Sequence, residues 1–244
     1  LTQILALLAM ECPWEPDSHH VRDEKVRLLR QIPPLTRANS VVGQYTRGTY
    51  GGRDVAGYLE EPGVPAGSRT PTFAAAVFDV RSPRWRGVPL LVSAAKGAAT
   101  RCTEIRVHFK APDNDLFRPL LARGGRGGAP LRDNELVIRV QPDEQILLRI
   151  VGKTPGFGFA LDTPTLDLSY RETYAGARIG DAYENLLLDV IRGDRSLFIR
   201  DDELEAAWDL FTPLLHAIDA DASMVCGEDA LVQALNAHLQ FRAA

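Results

Sequence analysis

The sequence predicts an α+β domain, a large, mainly antiparallel sheet with helices on one face. Two observations carry this. Apolar residues recur at helical spacing from Leu1 to about Ile32 and again from Gly180 onward, whereas six stretches between them alternate with a period of two. Runs of strands flanked by runs of helices, rather than alternating with them, favour antiparallel pairing under a helical layer.

Leu1, Ile4, Leu5, Leu7 and Leu8 open the chain at helical spacing with no capping residue before them, so residues 1–12 are expected to continue a helix begun upstream. Pro13 and Pro16 break that pattern, and Asp17 or Ser18 can cap a second helix. Its stripe is Val21, Lys25, Leu28, Leu29 and Ile32, with one lysine among the apolar residues, and Pro33 and Pro34 stop it. Residues 43–72 are rich in Gly, Pro, Ser and Thr with interspersed tyrosines, and read as a long excursion of the kind that is usually functional.

The period-two stretches are TFAAAVFDV, VPLLVS, TEIRVHF, ELVIRVQ, QILLRIV and TLDLSYR, separated by turn signals such as RSPRWRG and QPDE. In the last four, Ile105, Val107, Leu136, Ile138, Ile146, Leu148, Leu166 and Leu168 share an apolar face that is expected to pack against helices. The opposite face collects Glu104, Arg106, Arg139, Gln141, Arg149 and Asp167. Those groups fit either a solvated face with cross-strand ion pairs or a surface for an anion or a second subunit. The alternation does not choose between them.

ARGGRGGAP, residues 122–130, reads as a surface loop without the aromatic partners of a nucleic-acid segment or the ending of a phosphate loop. The helical period returns in DAYENLLLDVIRGD, where Gly193 is a stop, and in DDELEAAWDLFTPLLHAI, where Asp201 is expected as the cap. A last helix is expected over about 228–240.

The 244 residues are expected to form a single domain. The apolar fraction of 45% and charged fraction of 25% are ordinary for a globular protein, and a formal charge of −4 provides no basic field for nucleic acid. No apolar run is long enough to span a bilayer. Cys12, Cys102 and Cys226 form no metal signature or paired framework; they are expected to be buried or incidental thiols in a reducing compartment, and no metal site is assigned.

LLAMECP, RDEKVRLLRQI, VVGQYTRG, GYLEEPGVPAGSRTPTFAA, RWRGVPLL, NELVIRVQPDE, DAYENLLLDVIRGD and FIRDDELEAAWDLFTPLL occur in the order and spacing of glucose-6-phosphate dehydrogenases. From Leu1 to about Ile218 the chain closely resembles the C-terminal domain of that family, and residues 219–244 form a divergent helical tail. The resemblance implies an oxidation of glucose 6-phosphate to the 6-phosphogluconolactone with NADP+. It also implies a coenzyme-binding Rossmann domain upstream, since no G-x-G-x-x-G follows a strand here. The family's general-base histidine is expected immediately before Leu1, so no catalytic residue is assigned within the chain, and the isolated chain is expected to be inactive.

Three substrate contacts are implied. The family's R-x-G-K strand end is matched by SAAK, which identifies Lys96 as a phosphate ligand; Arg101 follows five positions later, and Gln141 matches a further substrate position. By its own context Lys96 reads as a solvated loop lysine. Ser93 and Ala95 replace the Arg and Gly of the motif, and the loss of glycine is expected to strain the turn. Arg106, Arg139, Arg149 and Asp167 match a second, structural NADP+ site of some members, although Cys102 and Leu147 replace a common Lys and Tyr. The family also dimerises or forms tetramers through this sheet. His19, His20, His108, His216 and His238 match no catalytic position. The resemblance fits a cytoplasmic enzyme or a plastid one. It leaves open a non-catalytic paralogue used in assembly or regulation, and a broader hexose-6-phosphate dehydrogenase of the secretory pathway.

Overall fold

In the computed structural model, residues 1–50, 52–98, 100–110, 134–176, 182–221 and 225–226 are described. The loop expected at 122–130, the helix expected at 228–240 and most of the tail at 219–244 lie outside them. By its contacts the chain divides into two compact units, residues 1–99 with 181–244, and residues 100–180.

The first unit begins with α1 (Thr2–Ala9), which buries Leu5, Ala6 and Ala9 and has Leu1 at its N-cap without a side-chain hydrogen bond. The Trp85 indole N–H donates to the Ala9 carbonyl at 2.7 Å, satisfying an end that the helix itself leaves open. Helix α2 (Ser18–Leu29) is capped by Asp17, whose Oδ1 accepts from the backbone N–H of His19 and His20. The His20 N–H is the main reason this carboxyl is pulled down to about 2. Strand β1 (Ser40–Gly43), the ribbon β2 (Gly48–Tyr50) with β3 (Arg53–Val55), β4 (Phe73–Phe78) and β5 (Leu90–Ala95) follow. Strand β1 pairs antiparallel with β4, and β4 pairs along its whole length with β5.

The second unit contains β6 (Thr103–His108), β7 (Glu135–Gln141), β8 (Gln145–Arg149), the ribbon β9 (Gly152–Lys153) with β10 (Leu161–Asp162), and β11 (Thr165–Ser169), which runs into the one-turn helix α3 (Tyr170–Thr173). The chain then returns to the first unit for α4 (Ala182–Arg192), α5 (Asp201–Ala220) and β12 (Val225–Cys226), which pairs parallel with β1. Gly193 has a φ of +74° and ends α4 where the sequence places the stop. Arg200, not Asp201, is the N-cap of α5; Asp201, Asp202 and Glu203 fill the first turn near the positive helix end. Arg200 pairs with Asp202 at 2.6 Å and with Asp23 of α2 at 2.7 Å.

The first unit's core lies between α1, α2, α5 and the sheet face bearing Val42, Ala76 and Phe78. Leu29, Leu35 and Leu210 are buried there, each worth roughly 1.5–3 kcal/mol of apolar transfer. Phe78 meets Phe211 of α5 edge to face at a centroid distance of 6.1 Å. Lys25 falls on the buried stripe of α2 and meets Glu203 of α5 at 2.7 Å, with both side chains almost fully enclosed.

All six expected strands form, and the class is α+β with mainly antiparallel pairing. The strands divide, however, between two four-stranded ladders, β12-β1-β4-β5 and β11-β8-β7-β6, where the alternation suggests one sheet. In the second ladder Ile105, Val107, Leu136, Ile138, Ile146 and Leu148 are half-buried. Its apolar face carries no buried side chain among the described residues, with Val140 at 40%, Leu166 at 61% and Leu168 at 38% exposure. The buried positions, Glu135, Val137 and Leu147, lie on the polar face. Alternation distinguishes two faces, but it does not say what covers either.

Candidate functional site

Lys96 stands at the end of β5. Ala95 still pairs with Phe73 of β4, and the Lys96 N–H extends that ladder by donating to the Thr72 carbonyl at 2.8 Å. The backbone turns at the next residue, Gly97, with a φ of +66°. Ala95 is not among the residues with positive φ, so the strain expected from losing the motif's glycine does not arise. The left-handed conformation falls one residue after the lysine, and a glycine occupies it. The Lys96 side chain is exposed and makes no hydrogen bond or ion pair among the described residues. Its ammonium is therefore available to an external anion.

The excursion over 43–72 folds back on this turn. Thr72 donates its N–H to the Gly43 carbonyl at 2.9 Å, and its Oγ1 accepts the Tyr45 N–H at 2.9 Å. The Tyr45 carbonyl accepts the Tyr58 N–H at 3.0 Å, and the two rings meet edge to face at 6.0 Å and 73°. Gly57 passes close to Thr46 and Arg47, where an added Cβ would come within 2.8 Å of the Arg47 nitrogen. Glu60 anchors the return by pairing with Arg47 at 2.8 Å and accepting the Gly57 N–H at 3.1 Å; the Arg47 hydrogen bond is the main cause of its lowered pKa.

Arg101 and Gln141 belong to the second unit and lie at one end of its ladder. Gln141 is opposite Thr103, where the β6–β7 register shifts, and its Nε2 donates weakly to Thr103 Oγ1 at 3.4 Å. Arg101, two residues before Thr103, is exposed and has no side-chain partner among the described residues. The Gln141–Pro142 peptide is cis, and Asp143 has a φ of +56°. The second ladder thus places Arg101 and Gln141 at the same end, while Lys96 is held by the first.

Arg106, Arg139, Arg149 and Asp167 share the ladder's polar face, around a residue the alternation does not single out. Glu135 is 4% exposed; its Oε1 accepts from Arg106 at 3.1 Å and its Oε2 from Arg149 at 2.6 Å. Burial pushes this carboxyl up, but the Arg106 and Arg149 pairs outweigh burial and hold it below the ordinary glutamate value. Arg106 also binds Glu104 at 2.6 Å, and that bond is the main cause of its raised pKa. Gln145 Nε2 donates to both Asp167 oxygens at 2.7 Å. Arg139 alone of the three arginines has no partner among the described residues. Glu104 and Glu135 thus hold Arg106 and Arg149, Gln145 holds Asp167, and Arg139 is left open to solvent among the described residues.

The histidines divide differently. His20 bonds Asp17 at 2.6 Å, which raises its pKa, and His108 lies 3.7 Å from Glu135. Cys12 and Cys102 are exposed free thiols rather than buried ones. Tyr45, Thr72 and Glu135 are the structural residues that pattern alone misses. The tyrosines of the excursion were the available signal for the first, and an acidic residue opening a strand otherwise occupied by apolar and basic groups was the signal for the last.

Comparison with known proteins gives a consistent picture. The family model described as glucose-6-phosphate dehydrogenase, C-terminal domain, matches residues 1–234. The chain is 50% identical over 219 residues to a chloroplastic glucose-6-phosphate 1-dehydrogenase of Arabidopsis thaliana, covering 90% of this chain and 37% of that protein. It is 44% identical over 219 residues to a cytoplasmic isoform from Solanum tuberosum, covering 90% of this chain and 39% of that one. A solved glucose-6-phosphate dehydrogenase in complex with its substrate glucose-6-phosphate superposes with a TM-score of 0.78 at 40% identity, over 88% of this chain and 42% of the other. The chain therefore spans about two-fifths of the length of the relatives it matches.

Proposed function

Because the chain belongs to the family of glucose-6-phosphate dehydrogenase C-terminal domains, we propose that it is the substrate-phosphate-binding and assembly part of an NADP-dependent glucose-6-phosphate dehydrogenase. The observation that carries this is Lys96, a strand-end lysine on a glycine turn whose ammonium has no partner among the described residues. In the whole protein, hydride passes from C1 of glucose 6-phosphate to NADP+, giving the 6-phosphogluconolactone. The resemblance assigns the coenzyme fold and the histidine base to other parts of that protein.

Within the chain, Lys96 and Arg101 are proposed to hold the dianionic phosphate and Gln141 a sugar hydroxyl. A phosphate bound to fixed cations orients C1 at the far end of the sugar toward base and coenzyme, which converts binding energy into alignment. On the polar face of the second ladder, Arg106 and Arg149 are engaged by Glu104 and Glu135, so of the residues matching the structural NADP+ site only Arg139 is read as open to a second nucleotide. Assembly of the proposed dimer or tetramer is assigned to this ladder, supported by the exposed Val140, Leu166 and Leu168 on its apolar face. The proposed compartment is the cytoplasm, whose reducing conditions suit the free thiols of Cys12 and Cys102. A plastid stroma suits them equally, and relatives named for both compartments match.

The test is steady-state kinetics of the full-length protein. Lys96→Ala is expected to raise the KM for glucose 6-phosphate by about 10- to 100-fold, the loss of one charge-assisted phosphate contact, and to leave the KM for NADP+ unchanged. An unchanged sugar-phosphate KM would sink the assignment. Absence of any glucose 6-phosphate-dependent NADPH formation by the full-length wild type would favour the non-catalytic paralogue instead.

A further inference from the structure

Resting on the phosphate role of Lys96, we propose that Tyr45 is the positioning residue for that lysine. Its ring is the surface on which the Gly97 turn rests, and it thereby fixes where the ammonium is presented to the sugar phosphate.

A lysine stem has four rotatable bonds, so its head is delivered reproducibly only if the backbone at its root is fixed. At Lys96 the ladder fixes one side of that root, through the N–H bonded to Thr72. The other side is the Gly97 turn, and there the nearest side-chain atoms are those of Tyr45. A Cβ built on Gly97 would lie 3.0 Å from Tyr45 Cγ and Cδ1, so the ring lies against the bare backbone, closer than a side chain there would permit.

Tyr45 is itself held on several sides. Its N–H is bound by Thr72, the same residue that accepts the Lys96 N–H. Its carbonyl accepts from Tyr58, whose ring packs edge-on against it and whose hydroxyl bonds Ser68 Oγ at 3.1 Å. Thr72 thus couples lysine and tyrosine through the backbone, while the ring couples them through packing. The Tyr45 hydroxyl makes no hydrogen bond among the described residues, so the flat ring is what positions the turn.

The experiment is sugar-phosphate kinetics on the full-length protein. Tyr45→Ala is expected to raise the KM for glucose 6-phosphate about tenfold, with kcat within about twofold of wild type and the KM for NADP+ unchanged. Tyr45→Phe is expected to behave as wild type. Tyr45→Leu keeps apolar bulk for folding but not the flat ring, and is expected to raise KM severalfold. In the Lys96→Ala background, Tyr45→Ala should add nothing further, because it acts through the lysine.

A wild-type KM in both Tyr45→Ala and Tyr45→Leu overturns the inference. So does a Tyr45→Phe protein as impaired as Tyr45→Ala, or a full additional loss in the double variant. If Lys96→Ala itself leaves KM unchanged, the phosphate reading falls and this inference falls with it. A raised KM in Lys96→Ala beside unaffected Tyr45 variants removes the positioning role alone.

Discussion

Glu135 shows how one side chain determines what a surface can bind. Buried at 4% exposure, it is kept ionised by Arg106 and Arg149, whose own side chains remain 41% and 32% exposed. Replacing it with glutamine removes the charge and one of the two acceptor oxygens offered to Arg106 and Arg149, while Arg106 keeps Glu104 and water can reach both guanidinium groups. The expected destabilisation is therefore on the order of 2 kcal/mol at neutral pH, below the 3–5 kcal/mol typical of breaking a fully enclosed pair. The pH dependence has a definite sign. Glu135 has a folded pKa below its ordinary value of 4.5, so its contribution is present above that value and is lost as pH falls through the lower folded one. Urea unfolding of wild type and Glu135→Gln should differ by about 2 kcal/mol at pH 7, and the difference should shrink as pH falls below 4.5. A difference that stays constant into acid would show that the carboxylate charge is not what the arginines recognise.

Among the elements, α2 and α5 are tied together by an ion pair that should contribute little net stability yet be costly to break. Lys25 and Glu203 meet at 2.7 Å with side-chain exposures of 2% and 4%, and the approach lies outside hydrogen-bonding geometry for Glu203 Oε2, so the attraction is mainly coulombic. Lys25→Ala should cost about 3–5 kcal/mol by stranding the carboxylate, whereas Lys25→Met combined with Glu203→Leu should be near neutral or stabilising. Denaturant midpoints of the two proteins decide this; a double variant as unstable as the single one would mean the charges do more than cancel each other. The sequence places Lys25 on the apolar stripe of α2, but its partner is 178 positions away (203 − 25) and periodicity cannot pair them. The same limit explains what else was legible. The six longer strands have enough alternation to be recognised, while SVVG and the three-residue ribbon strands inside the 43–72 excursion have too little. Lys96 was singled out by the resemblance of SAAK to the family's R-x-G-K strand end, but the turn's glycine lies after the lysine, at Gly97, and Tyr45 approaches it from 52 positions earlier (97 − 45).

At the scale of the whole molecule, the apolar face of the second ladder bears on assembly. Val140 of β7, Leu166 and Leu168 of β11, and Ile150 just after β8 are each more than a third exposed, a set of apolar side chains that a partner surface could cover. If copies of the full-length protein associate through this face, one charge at its most exposed leucine should separate them. Leu166→Glu places that charge on β11, where the leucine is 61% exposed, so the fold of each subunit should be unaffected. Sedimentation velocity is expected to show the main species falling to half its mass, with unchanged circular dichroism and thermal midpoint. Thr165→Glu is the control, since it sits one residue away on the opposite face of the same strand and is also exposed. If Thr165→Glu dissociates the protein and Leu166→Glu does not, assembly runs through the arginine-bearing face. The Glu135 pairs would then lie at the subunit interface, and their loss would reach oligomer stability as well as the single fold.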